Sequence, residues 1–356
     1  MALLNDVLVV NAGSTSLKLS IVDEVDESRA IDSLRAAPAV AAVGHRIVHG
    51  GDRFVEPTLV DEAVLSELEA LVELAPLHNA PAIAAIREAR RAMPNAAHVA
   101  VFDTAFHRTM PAVARTYLLP ERFRALGIHR FGFHGLSVAW AASRVTVPRL
   151  VVCHLGGGAS VTAVRDGASV DTTMGFTPLE GVPMATRAGS IDPGVLLYLL
   201  RHGVGLDDLD DALEHESGLT GLAGTGDVAE LERAGTPEAG LALDVYCYRI
   251  AQAVAAMSVA LGGIDALVFT AGVGEHSPRV RADVCGRLKL LGVALDGSAN
   301  AAAGGDADIA AASSRVAVRV VVAREDVVVA RAVRGLVQGS QGQGGSPRAG
   351  PRGPVP

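Results

Sequence analysis

The sequence predicts an α/β protein made of two related halves facing a cleft. Three observations carry this. Leu8–Asp23 (LVVNAGSTSLKLSIVD) is weakly repeated as Leu150–Asp166 (LVVCHLGGGASVTAVRD). Within each copy apolar and polar residues alternate, so each reads as a half-buried strand, a tight Gly/Ser-rich turn and a returning strand. Further on, Ala266–Thr270 is an apolar strand that breaks into a Gly-rich loop ahead of a helix. A length of 356 residues also favours two domains over one.

Between the repeats the pattern turns helical. Asp61–Leu74 places Leu65, Leu68, Leu71 and Val72 on one face. Asn79 is expected to cap a helix with Pro81 in its first turn and Pro94 at its end. Pro193–His202 is an apolar helix stopped by Gly203, and Val316–Ala323 reads as a strand. Leu241–Leu261 contains Asp244, Arg249 and Gln252 and reads as a buried amphipathic helix rather than a membrane span. The expected division is a first domain over residues 1–105 completed by a C-terminal helix over 326–338. A second, nucleotide-binding domain covers 106–325, and a Gly/Pro-rich tail over 339–356 is expected to be disordered.

Apolar residues make up 49% of the chain and aromatics only 4%, so aliphatic packing must fill the core. The net charge is -8 and no basic stripe is present, which argues against a nucleic-acid partner. The three cysteines, Cys153, Cys247 and Cys285, form no C-x-x-C pair and no even framework, as expected of a cytoplasmic protein. The start of the chain is too short and too acidic for a signal peptide.

Several motifs carry chemistry. In Asn11–Lys18 (NAGSTSLK) a glycine turn lets backbone N–H groups approach phosphate oxygens, with Ser14, Ser16 and Lys18 adding donors and charge. It is not a Walker A loop. In His154–Ser160 (HLGGGAS), Gly156, Gly157 and Gly158 leave room for backbone to touch a ligand. Together the two turns suggest a two-sided phosphate clamp. Phe269–Ser277 (FTAGVGEHS) is a third Gly-rich loop, suited to a base or ribose, but it lacks the G-x-G-x-x-G of a dinucleotide site. Charged residues accompany these turns: Arg46 between His45 and His49, Asp103 after an apolar run, His134 between glycine and aromatic residues, Arg187 ahead of a helix, and Glu325–Asp326 at a strand end. Taken singly, each has an equally ordinary reading as an ion pair, a cap or a core histidine.

Jointly these blocks resemble the acetokinase family within the actin/sugar-kinase/heat-shock ATPase superfamily. The matching blocks include NAGSTSLK, GHRIVHGG, APLHN, VFDTAFH, FGFHG, HLGGGAS, DTTMGFTPLEGVPMATRAGSIDP, SGLTGLAG and FTAGVGE, ending in the Glu325–Asp326 pair. The resemblance implies duplicated ribonuclease-H-like domains and acetate kinase chemistry, the reversible transfer of a phosphoryl group between ATP and acetate giving acetyl phosphate and ADP. It implies Arg46 and Arg187 on the carboxylate and the transferring phosphoryl group, with His134 donating to that group and Asp103 orienting them. Asn11 and Glu325 would hold Mg²⁺, with Mn²⁺ as a substitute. Val48, Leu77, Phe133 and Pro178 would line the acyl pocket. Ser14, Ser16, Lys18, His154, Gly156, Gly157, Gly158, Asp227, Gly272, Val273 and Gly274 would form the nucleotide side. A homodimer is also implied, with neither membrane nor nucleic acid as partner.

The chain departs from the family pattern in several places. Asp23–Val43 is shorter than usual, Gly157 stands where Asn is expected, and Ala229 where an Arg is expected. His276 replaces an Asn, and Ala323–Arg324 replaces Thr-Asn. Most of these changes fall on the nucleotide side. The alternatives are a propionate- or butyrate-type acyl kinase, a kinase with an altered phosphoryl donor, and a decayed kinase that binds nucleotide as a regulator.

Overall fold

The structure is a computed structural model and describes residues 3–12 and 17–341. Among the described residues, two six-stranded sheets form the framework. The first comprises β1 (Leu3–Ala12), β2 (Leu17–Val22), β3 (Ser28–Ile31), β4 (Val40–Ile47), β5 (Thr58–Leu59) and β6 (Ala97–Phe102). The second comprises β7 (Arg149–Leu155), β8 (Ala159–Arg165), β9 (Ala168–Thr172), β10 (Ala266–Thr270), β11 (Ala307–Asp308) and β12 (Ala317–Val320). Their orders are β3-β2-β1-β4-β6-β5 and, read from the matching edge, β9-β8-β7-β10-β12-β11. The two sheets therefore correspond strand for strand. In each, the first three strands form an antiparallel meander, the first, fourth and sixth run parallel, and the fifth is an antiparallel edge. This is the duplicated ribonuclease-H-like arrangement, and the repeat seen in the sequence is its first hairpin in each copy.

Helices cover both faces of each sheet, so the repeated strands, expected to be half-buried, are buried on both faces, β7 and β8 almost throughout. Pro76–Ala92 packs on β1 and β4, and Pro237–Leu261 packs on β7 and β8. Between the sheets lie two helices in contact with each other, Gly135–Arg144 and Glu325–Gln341. Leu136, Val138 and Trp140 of the first and Val327, Ala330 and Val333 of the second share one core with Val9, Val101, Val152 and Val268 from both sheets. Gly44 in β4 makes the approach of the C-terminal helix feasible: a Cβ there would lie 2.5 Å from Val329 and 2.8 Å from Val333.

Some local expectations change. The helix expected from Asn79 starts at Pro76 and runs to Ala92, because Pro76 is well placed in a first turn. Asn79 is buried inside it, where its side chain accepts from the His49 N–H and donates to the His49 carbonyl. The helix after Asp61 covers Glu62–Ala70, capped by the Asp61 side chain, and continues as a separate 3₁₀ turn over Val72–Leu74. The strand expected over Val316–Ala323 is shortened to Ala317–Val320. The C-terminal helix runs to Gln341, so residues 339–341 belong to it rather than to the tail; the rest of the tail lies outside the described residues. Cys153, Cys247 and Cys285 are free and buried. Among the described residues no helix is long and apolar enough to cross a membrane.

Candidate active site

A cavity of about 840 Å³ opens between the two sheets. Asn11, Lys18, Arg46, His134, His154, Gly156, Gly157, Gly272 and Glu325 all line it, gathered from positions more than three hundred residues apart. Strand register accounts for much of this. Asn11 at the end of β1 pairs with Lys18 on β2 and with Arg46 on β4. The corresponding position on β7 is His154, which pairs with Ser160 on β8 and Thr270 on β10.

Arg46 is fixed by three neighbours. Its Nη2 and Nε meet Asp103 Oδ2 and Oδ1 at 2.5 and 3.2 Å, and its Nη1 donates to Asn11 Oδ1 at 3.1 Å. Glu325 Oε2 lies 3.7 Å from Nε, and Asn11 Nδ2 is 3.4 Å from the same oxygen. Burial works against the Arg46 charge, but Asp103 and Glu325 outweigh it and raise its pKa. Burial pushes the Asp103 carboxyl up to about 6, with Arg46 drawing it back. Glu325 is held below its ordinary value: burial opposes ionisation, but Arg46, His154 and the Asn11 hydrogen bond prevail.

His134 sits in the left-handed region at φ 61° and opens the Gly135–Arg144 helix. The glycines beside it are steric requirements. A Cβ on Gly135 would fall 2.0 Å from the Asp103 carbonyl oxygen, and one on Gly132 would fall 2.8 Å from the His107 ring. The His134 ring stacks on His154 with centroids 4.0 Å apart. Burial, then His154, Arg46 and Arg187, keep His134 well below the usual histidine pKa, so it is neutral.

Arg187 approaches from the second half. Its Nε pairs with Glu214 Oε2 at 3.1 Å and its Nη1 donates to the Pro178 carbonyl at 3.3 Å. Glu214 lies in a π-helical turn, Ala212–Glu216. That turn is held against the arginine segment by Thr186 Oγ1 donating to the Glu214 carbonyl and Ser217 N–H donating to the Thr186 carbonyl. The glycine loop is tied to the same segment, since Ala185 N–H donates to the Gly157 carbonyl at 3.1 Å. A Cβ on Gly158 would lie 3.2 Å from His134 Nε2 and 3.9 Å from Arg187 Nη1, so this glycine borders both.

The remaining expected residues divide. Val48 and Phe133 are buried in one apolar cluster, with the His49 ring edge-on to Phe133, and Pro178 is buried beside Arg187. Val273 packs partly on the core, and the Gly274 carbonyl accepts from Arg281. Asp227 is exposed and caps the helix Val228–Ala234 by accepting from Ala229 and Glu230 N–H. Ser14, Ser16 and the side chain of Leu77 lie outside the described residues. Four residues that the sequence does not assign to the site also contribute. Glu214 and Ser160 contact Arg187 and His134, and Asn79 braces His49. His78 is close enough to both arginines that, after burial, they help lower its pKa to about 4. His78 and Asn79 stood in the APLHN block, which was the only signal that tied them to the site.

The donor set suits magnesium. Asn11 Oδ1 and the Glu325 carboxylate are hard oxygen donors at the cavity wall, and Mg²⁺ typically takes one or two such ligands plus phosphate and water. Among the described residues no cluster of three or more His, Cys, Asp or Glu could hold an ion without such outside ligands.

Comparison with known proteins agrees with this geometry. Residues 28–331 match the model of the Acetokinase family. An acetate kinase of Clavibacter sepedonicus is 48% identical over 313 residues, 84% of this chain and 79% of that protein. One from Deinococcus radiodurans is 46% identical over 326 residues, 87% and 82% of the two chains. Among solved structures, a propionate kinase from Francisella tularensis matches with TM-score 0.86 at 29% identity, covering 94% of this chain and 100% of that one. Porphyromonas gingivalis acetate kinase matches with TM-score 0.83 at 30% identity, covering 94% and 100%. With the family model, the identity to curated acetate kinases and the shared fold all in agreement, this chain belongs to the acetokinase family.

Proposed function

We propose that the chain transfers the γ-phosphoryl group of ATP to acetate, reversibly, giving acetyl phosphate and ADP by direct in-line displacement. The observation that carries this is that Arg46 and His134 line one cleft with a glycine loop, and that Gly158 of this loop borders both His134 and Arg187. The acetate kinase names of the relatives support the same reading.

The carboxylate substrate is already ionised at neutral pH, so its oxygen attacks the γ-phosphorus without a general base. The bond from that phosphorus to the β–γ bridging oxygen breaks, and ADP leaves with the electron pair. The protein's task is alignment and charge neutralisation. Arg46, locked by Asp103 and Asn11, offers a fixed positive edge. Arg187 reaches the same region from the other half, and neutral His134 supplies an N–H to an equatorial phosphoryl oxygen. Asn11 and Glu325 would hold Mg²⁺; when bound, the ion neutralises phosphate oxygens. Val48, Phe133 and Pro178 form the apolar side for the acyl methyl.

The structural likeness to a propionate kinase favours a second reading, in which the preferred acid is one methylene longer. We assign the nucleotide to the loops around Gly156–Gly158 and Gly272, and a cytoplasmic location to the protein. A homodimer is supported by the helix Pro193–Arg201, which has no buried residue and exposes Val195, Leu197, Tyr198 and Leu200. Trapping acyl phosphate with hydroxylamine in the presence of ATP, Mg²⁺ and acetate, propionate or butyrate tests the function. Product with acetate above the longer acids is expected. Absence of product with all three defeats the proposal, and a maximum at propionate replaces acetate with the second reading.

A further inference from the structure

Two buried serines stand behind the two stacked imidazoles. Ser160 Oγ is 3.0 Å from His134 Nδ1, and Ser137 Oγ is 2.8 Å from His154 Nδ1. Both serines are 0% exposed. They come from different elements, Ser160 from β8 and Ser137 from the Gly135–Arg144 helix, while His154 lies on β7 and His134 opens that same helix. The Nε2 atoms face the other way. Cβ atoms built on Gly158 and Gly156 would lie 3.2 Å from His134 Nε2 and 3.8 Å from His154 Nε2. Both rings line the cleft, and the absence of side chains on the glycine run leaves both Nε2 atoms open to it.

A neutral imidazole carries one N–H, on one nitrogen or the other. The two stacked rings, with Arg46 and Arg187 nearby, are held neutral: burial first, then these charges, lowers His134, and burial lowers His154 to about 4. The serines then decide which nitrogen carries the hydrogen. Among the described residues, each serine hydroxyl has its histidine Nδ1 as sole hydrogen-bond partner. If Nδ1–H donated to Oγ, the serine's own proton would be buried without an acceptor, which costs the full desolvation of that group. The satisfied arrangement has each serine O–H donating to Nδ1, which places the imidazole hydrogen on Nε2.

We infer that Ser160 and Ser137 are positioning residues that fix His134 and His154 as Nε2–H tautomers, so the stacked pair presents two N–H donors side by side to phosphate oxygens in the cleft. The opposite tautomer would aim an imidazole lone pair at a phosphate oxygen. The inference deepens the phosphoryl-transfer reading and rests on it for what the donors meet.

The test combines ¹⁵N-histidine NMR with kinetics on wild type, Ser160→Ala and Ser137→Ala. Wild type is expected to show both rings protonated at Nε2. Ser160→Ala should give His134 a mixed or Nδ1–H signature, with kcat for acyl phosphate formation lowered by roughly 10–100-fold and KM for acetate changed little. Ser160→Thr, which keeps the hydroxyl, should restore the tautomer and most of kcat, provided its melting temperature matches wild type. Ser137→Ala should shift the His154 signature and raise KM for nucleotide. A wild-type His134 protonated at Nδ1, or a Ser160→Ala protein with unaltered tautomer and kcat, overturns the inference. If wild type forms no acyl phosphate, the functional reading fails instead, and the NMR comparison still decides the serine–histidine assignment.

Discussion

Arg187 Nε and Glu214 Oε2 lie 3.1 Å apart, with both side chains largely shielded from solvent. Arg187 thus carries its own counter-charge, delivered by the π-helical turn Ala212–Glu216. π-helical turns recur at functional sites, and here the turn aims a carboxylate. Glu214→Gln removes the negative charge while keeping the shape. The expected result is tighter binding of acetyl phosphate, a KM lowered several-fold, with kcat reduced by about 10-fold because the guanidinium is less firmly held. Steady-state kinetics in the ATP-forming direction check this, and unchanged parameters would make the pair purely structural.

Arg187→Ala should fall mainly on turnover. In the proposed role its guanidinium meets charge that grows during transfer, so the loss would belong to the transition state. A decrease in kcat of about 10²–10³-fold is expected, with nucleotide affinity measured by calorimetry changed far less. Near-normal turnover would contradict the role.

Acyl selectivity should respond to Val48. It is buried in the same cluster as Phe133, so Val48→Ala opens space of roughly two methyl groups beside the proposed acyl site. One methylene in an apolar pocket is worth about 1–3 kcal/mol. The ratio of kcat/KM for propionate over acetate should therefore rise by roughly 10-fold or more across the variant. An unchanged ratio would move the acyl pocket elsewhere.

The nucleotide side should be permissive. Ala229 is an exposed residue in the first turn of its helix, and a Cβ on Gly157 would meet nothing within 4 Å. Neither position offers a polar side chain that a wrong base would leave unpaired. ATP and GTP are expected to give similar kcat/KM, and Ala229→Arg combined with Gly157→Asn should favour ATP. Strong rejection of GTP by the unaltered protein would show that other residues discriminate.

Acid should destabilise the fold. Burial lowers His45 to about 3 and His49 and His107 to about 4, from an ordinary value of 6.5. The unfolded chain therefore binds more protons than the folded one between those values and 6.5. Their contribution is complete above pH 6.5 and is lost as pH falls toward 4. Asp103, raised by burial from 3.8 to about 6, acts in the opposite sense over its own range, one carboxyl against three histidines. Calorimetry from pH 7.5 to 4.5 should show a falling melting temperature; a flat or rising one would refute the assignment.

Residues in contiguous blocks were legible in the sequence because strand ends and tight turns leave local marks. Asn11, Arg46, His134 and Glu325 each stand in such a block, but singly each reads as well as a cap, an ion pair or a core histidine, and only the blocks together give them a role. Glu214 is not legible in this way, since its role exists only where a distant turn packs on Thr186. Ser160 was visible as part of the glycine block, but its bond to His134 depends on the register of β7 and β8 and on the helix start at Gly135. Asn79 shows how a local rule is overridden: its propensity suits a cap, yet burial gives it both backbone polar groups of His49 to satisfy. The strand-for-strand match of the two sheets was legible only in its first hairpin. The edge strands β5 and β11 have two residues each, too few to show alternation.

The two helices between the sheets have a mechanical consequence. Each follows the sixth strand of its own sheet, and each begins beside the chemistry, one at His134 and the other at Glu325. Gly44 lets the C-terminal helix press directly on β4, so a bulkier residue there would jam the contact. A rotation of one sheet against the other would have this pair as its axle. Any rocking of one sheet against the other displaces a point in proportion to its distance from that axle, so the mouth of the cleft travels far while the helix starts travel little.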